Sequence, residues 1–138
     1  MAQNYNELEI FHLSYQFVLS LYPYLNKFPE DEHKNLVLQM KRLVTSMPFN
    51  IAEGSSRRSN REFLTFLVYA LGSGKELEVS LRLSKDLKFI DEVSYAKLSE
   101  DLAKIMAKLA SLIQYYEKKL PPRKDIVMSK IERGEQFL

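Results

Sequence analysis

The sequence predicts an all-α fold: an antiparallel up-and-down four-helix bundle over residues 1–120, followed by a C-terminal tail over residues 121–138. Three observations predict it. Apolar residues recur at spacings of three and four, the helix period. Only four glycines occur, and no segment alternates as a strand does. Breakers at Phe28-Pro29, Gly54, Lys88–Asp91 and Pro121-Pro122 cut the chain into four stretches of similar length. Similar helices on short connections pack against one another as a bundle.

The first helix is expected from about Asn6 to Lys27, with Leu8, Phe11, Tyr15, Val18, Tyr22 and Leu25 as its inner stripe and Pro23 tightening its last turn. The second opens between Pro29 and Asp31, where Glu30, Asp31 and Glu32 favour the positive end of a helix. Its stripe is Leu36, Met40, Leu43, Met47 and Ile51. Pro48 interrupts that pattern and predicts a kink, and Gly54 is read as its stop.

Ser59, three residues before Glu62, reads as the capping box of the third helix. Its inner face is Phe63, Phe66, Leu67, Ala70, Leu77 and Leu81. Gly72 and Gly74 each cost a helix about 1 kcal/mol relative to alanine, a cost that the close approach of a neighbouring helix would offset. Gly72-Ser73-Gly74-Lys75 is therefore read as a packing feature rather than a phosphate cradle. The fourth helix carries Tyr95, Leu98, Leu102, Ile105, Leu109, Leu112 and Tyr116, with Met106, Ile113 and Leu120 in a second row. Two rows suggest several neighbours and favour assembly into a ring.

Composition narrows the function classes. At 46% apolar and 28% charged residues, the chain has the makeup of a globular domain. No apolar run suits a membrane span, and no secretory signal is visible at the N-terminus. With no cysteine, thiol catalysis, disulfides and zinc–thiolate sites are excluded, and a cytoplasmic location is expected. The net charge of +2 is uneven: residues 1–53 sum to −2 and residues 54–138 to +4.

Catalytic constellations are weak, so the chain is expected not to be an enzyme and to need no cofactor. Glu9-x-x-His12 and Glu30-x-x-His33 have the spacing of di-iron bundles. Both lie in the first turns of consecutive helices, which an antiparallel pair holds roughly 30 Å apart. Ordinary surface histidines are the expectation. No nucleophile elbow and no phosphate loop is present.

Two features remain. Gln39, Arg42, Ser46, Asn50 and Glu53 share one face of the second helix, which is either a solvated face or a hydrogen-bonded network joined by Arg57 or Glu76. Basic residues cluster twice: Arg57, Arg58 and Arg61 at the second–third junction, and Lys118, Lys119, Arg123 and Lys124 after the fourth helix. Both are candidate nucleic-acid contacts. The two clusters are expected at opposite ends of the bundle, forming one patch only across subunits or through a folded-back tail.

The segment Ser46-Met47-Pro48-Phe49-Asn50-Ile51-Ala52-Glu53-Gly54 resembles the four helix bundle protein family, also called the 23S rRNA intervening-sequence proteins. Phe28-Pro29, Gln39, Arg42, Arg57, Phe63, Ala70, Gly72-Ser73 and Glu76-Leu77 extend the resemblance over roughly residues 8–117. The resemblance implies an antiparallel bundle assembled as a homopentameric barrel. It implies kinship with the basic accessory protein of diversity-generating retroelements, and no established catalytic residue. It makes Arg42, Asn50, Glu53, Gly54, Arg57 and Glu76 a structural network. The expected function is a non-enzymatic oligomeric module binding structured RNA or a ribonucleoprotein. The alternative is a protein-interaction module with no nucleic-acid role.

Overall fold

The computed structural model describes residues 3–121. The tail from Pro122 to Leu138, with Arg123 and Lys124, lies outside the described residues. Four long helices and no strand occur among the described residues: α1 (Glu9–Leu25), α2 (Leu36–Ser55), α3 (Asn60–Asp86) and α4 (Glu92–Lys119). Short 3₁₀ turns at Tyr5–Glu7 and Glu30–Glu32 precede α1 and α2. The acidic triplet thus forms a turn of its own, and α2 starts later than its charge pattern suggested. Each helix packs on its neighbours in sequence, most extensively α2 on α3, and α1 on α4 closes the cycle.

The core fills the space between the four helices. Leu21, Met40, Met47, Ile51, Leu77, Leu81, Leu102 and Leu109 are among its fully buried side chains. The predicted stripes of α2, α3 and α4 face this core, with Leu43, Phe66, Tyr95 and Leu112 half-buried at its edges. The second row of α4 does not face outward: Met106 and Ile113 are buried within the protomer. It serves the chain's own core and gives no support to a ring.

The α1 stripe is corrected by about one position. Ile10, Ser14, Phe17, Leu21 and Leu25 are the buried residues. Ser14 is tolerated there because its hydroxyl donates to the Phe11 carbonyl at 2.9 Å. Of the predicted stripe, only Leu25 is buried, and Tyr15 is 48% exposed. Apolar residues cover two faces of α1, so periodicity alone admits two stripes. The second face, with Thr45, Pro48 and Phe49 of α2, lines an open groove of about 340 Å³.

Three local devices fix the connections. Ser59 caps α3: its Oγ accepts the Glu62 amide at 3.1 Å and donates to the Glu62 carboxylate at 3.3 Å. Asp91 caps α4, accepting the amide and hydroxyl of Ser94, each at 2.8 Å. Between these helices Lys88 adopts φ 66°, with the Lys88 amide donating to Lys85 and the Phe89 amide to Ser84. That is a complete Schellman end to α3, with lysine at the left-handed position glycine usually takes.

Gly54 is not a stop. It lies buried inside α2, where an added Cβ would stand 2.7 Å from the Phe66 Cβ and 2.9 Å from the Phe63 Cδ1. Its missing side chain sets the approach of α2 to α3. Gly74 meets the Met106 and Met47 side chains, rather than a helix backbone, at 3.2–3.4 Å. Gly72 faces open space.

Candidate nucleic-acid interface

The polar row on α2 divides into two short systems and some exposed residues. Asn50 donates to the Ser46 carbonyl and hydroxyl, each at 2.8 Å, and the Ser46 hydroxyl meets the Ser73 hydroxyl at 2.8 Å. This is a half-buried polar bridge between α2 and α3. One turn on, Arg57 pairs with Glu53, approaches Glu62 at 3.9 Å, and lies over the Phe66 ring at 4.9 Å. The Arg57 Nε and the Asn60 Oδ1 are both buried, with no hydrogen-bond partner among the described residues. Gln39, Arg42 and Glu76 are exposed, and the side chains of Arg42 and Glu76 make no ion pair among the described residues. The sequence thus brings Ser46, Asn50 and Ser73 together, and Glu53, Arg57 and Glu62 together, without joining Arg42 or Glu76 to either.

Arg57 is held by two carboxylates and a ring, so its charge is largely answered within the fold. The pair with Glu53 is half exposed, so it stabilises by at most about 1 kcal/mol. The guanidinium serves more to clasp the end of α2 to the start of α3. Arg58 and Arg61 extend the same junction, Arg61 beside Thr65, Val68 and Tyr69 on the outer face of α3.

The two basic clusters are not at opposite ends. Phe63, in the first turn of α3, packs edge-on against Tyr116 near the end of α4, with centroids 5.1 Å apart. The Gln3 side chain donates to the Tyr116 hydroxyl at 3.0 Å, and the Gln3 amide to the Ser55 carbonyl at 2.6 Å. The start of the chain, the α2–α3 junction and the end of α4 therefore meet at one end of the fold. These contacts correct the expectation of opposite ends for the described basic residues. Arg57, Arg58 and Arg61 share this end with Lys118 and Lys119, against Glu53, Glu62 and Glu117.

Aromatic side chains are interleaved with these cations. Tyr115 stacks on Tyr116 at 5.0 Å, and the Lys119 ammonium sits 4.3 Å from the Tyr115 ring centre. Tyr115 and Tyr69 remain 44% and 56% exposed. Exposed rings beside cations provide faces for unpaired bases as well as charge for phosphate. Sequence reasoning missed Tyr69 and Tyr115, although Tyr115-Tyr116-Glu117-Lys118-Lys119 carries the alternation in plain view.

The histidines are engaged locally. The ring of His12 bonds the Asn6 carbonyl at 2.7 Å and that of His33 the Phe28 carbonyl at 3.2 Å. No group of three metal-ligating side chains gathers among the described residues. Among those residues, no helix is long and apolar enough to cross a membrane.

No curated protein matches the chain. One similar solved structure is that of a protein with unknown function from the S23 ribosomal protein family of Bacteroides thetaiotaomicron VPI-5482. It is 27% identical, covers 75% of this chain and 97% of its own, and superposes with a TM-score of 0.68. The family profile described as 23S rRNA-intervening sequence protein matches residues 6–111. That match spans both polar systems and most of all four helices, and the chain belongs to this family.

Proposed function

We propose that this chain is a non-enzymatic module that binds structured RNA, or a ribonucleoprotein, through one basic end of an antiparallel up-and-down bundle. The observation that supports the reading is the contact of Phe63 with Tyr116, which brings Arg57, Arg58 and Arg61 to the same end of the fold as Lys118 and Lys119. Arg58, Arg61, Lys118 and Lys119 supply charge, and Tyr69 and Tyr115 supply stacking faces. Arg57 orders the junction. The family's description, 23S rRNA-intervening sequence protein, supports an rRNA setting and a cytoplasmic location.

A single protomer of charge +2 offers few phosphate contacts, so the reading includes assembly with other copies, in the five-membered ring the resemblance implies. Its support is the outer face of α3, where Gly72 lies open between exposed Val68 and Val79. A helix from another copy resting there would account for a glycine that nothing among the described residues explains. Val79→Arg is expected to lower the mass measured by light scattering to that of one chain. An unchanged mass would remove α3 from the interface, and a monomeric wild type would remove assembly altogether.

The principal test is a fluorescence titration of a structured RNA at low and physiological salt. Binding is expected to weaken with salt, and the double variant Arg61→Glu, Lys118→Glu to reduce the slope of log K against log salt by about 1 to 2 units. No binding at either salt would overturn the RNA reading. It would favour the alternative of a protein partner with no nucleic-acid role.

A further inference from the structure

We propose that the α1–α2 groove is covered by the chain's own C-terminal tail, residues 122–138. The groove is lined by Phe11, Tyr15, Val18 and Leu19 of α1 and by Pro48 and Phe49 of α2, with no charged side chain among its walls. Phe49 is 73% exposed and Leu19 55%, a large apolar surface for one protomer to leave in water. Apolar side chains of comparable number, Ile126, Val127, Ile131 and Phe137, lie in the tail.

The chain's path makes the tail the nearest candidate. Leu120 leaves α4 in an extended conformation (φ −95°, ψ 144°), one turn beyond Tyr116. Tyr116 is hydrogen-bonded to Gln3, two residues before Tyr5, which stands at the groove's mouth. The groove runs along α1 from Phe11 to Leu19, about 12 Å at 1.5 Å per residue. Seventeen residues extend to roughly 55 Å, enough to cross the start of α1 and lie along that length. The rival depression between α1 and α4 is closer to the exit, but Glu7, Glu9 and Lys108 line it, and Glu9 and Lys108 bridge it at 3.0 Å. An apolar segment gains less there.

The chain has no cysteine, so paired cysteines report position without background. Thr45→Cys with Ser129→Cys joins the groove wall to the tail, and Thr65→Cys with Ser129→Cys is the control on α3 at the same end. Under a mild oxidant the groove pair is expected to close an intrachain disulfide about tenfold faster than the control, because docking raises the local concentration. Equal rates would overturn the proposal. So would bridges joining two chains, which would identify a second copy as the occupant. A second readout avoids cysteines: a chain ending at Pro121 should raise the fluorescence of an anilinonaphthalene sulfonate dye several-fold over the full chain. An unchanged signal would count equally against docking. Neither readout depends on RNA.

Discussion

Gly54 and Gly72 have opposite surroundings, and the same substitution should act on them with opposite signs. An alanine Cβ at Gly54 enters the side chains of Phe63 and Phe66, so Gly54→Ala is expected to destabilise by about 1–3 kcal/mol through overpacking. At Gly72 nothing among the described residues lies within 4 Å, so Gly72→Ala should stabilise the isolated protomer by up to about 1 kcal/mol. Denaturant midpoints at protomer concentrations too low for assembly would check both. If α3 carries an assembly contact, Gly72→Ala would also weaken it, and the two effects separate on changing protein concentration. Lys88 gives a third case. Its φ of 66° strains any side chain with a Cβ, and Lys88→Gly is expected to raise stability by about 1 kcal/mol. A lower midpoint would show that the lysine side chain contributes more than its backbone costs.

Among the elements, α4 depends on a titratable cap. The Ser94 amide and hydroxyl hold the Asp91 carboxyl below its ordinary value of 3.8. A carboxyl whose folded pKa is depressed contributes stability above its unfolded pKa, and that contribution is lost as pH falls through the folded value. Asp91→Asn should therefore lower the melting temperature at pH 7, with the difference narrowing below about pH 3.8. A difference independent of pH would assign the cap's effect to hydrogen bonding without charge. The element scale is also where the sequence was most and least legible. The Ser59–Glu62 box, the stripes of α2 to α4 and the breakers at Phe28-Pro29 and Pro121 were readable because each rests on local chemistry. The inner face of α1 was not, because Phe11, Val18 and Leu19 are as apolar as Phe17 and Leu21, and only contact with α2 and α4 selects between the faces. Gly54 was misread for a related reason: a glycine that ends a helix and one that admits a neighbour look alike until the neighbour is in place.

For the whole molecule, what escaped the sequence was how its ends relate. The basic residues were visible as two clusters, and the contacts of Tyr116 bring Arg57, Arg58 and Arg61 to the same end as Lys118 and Lys119. Tyr69 and Tyr115 enter the candidate interface only once that course is known. The proposals for RNA, assembly and the tail fall on three surfaces: the basic end, the outer face of α3 and the α1–α2 groove. Arg61 lies beside Val68 on that same face of α3, so the RNA and assembly variants are read together, whereas the tail variants stand apart from both. The clasp of Gln3 on Tyr116 also bears on the order of events in folding. It joins residues 113 positions apart, whereas α2 and α3 form a hairpin of neighbours with the most extensive contact in the fold. Contacts of long separation must wait for the entropy of closing the intervening chain, so the hairpin is expected to lead and the clasp to form last. A chain still emerging from the ribosome would then hold its hairpin before Tyr116 has been made. The basic end would exist only in molecules whose synthesis has passed α4, so its charges and rings come together after the core hairpin has formed.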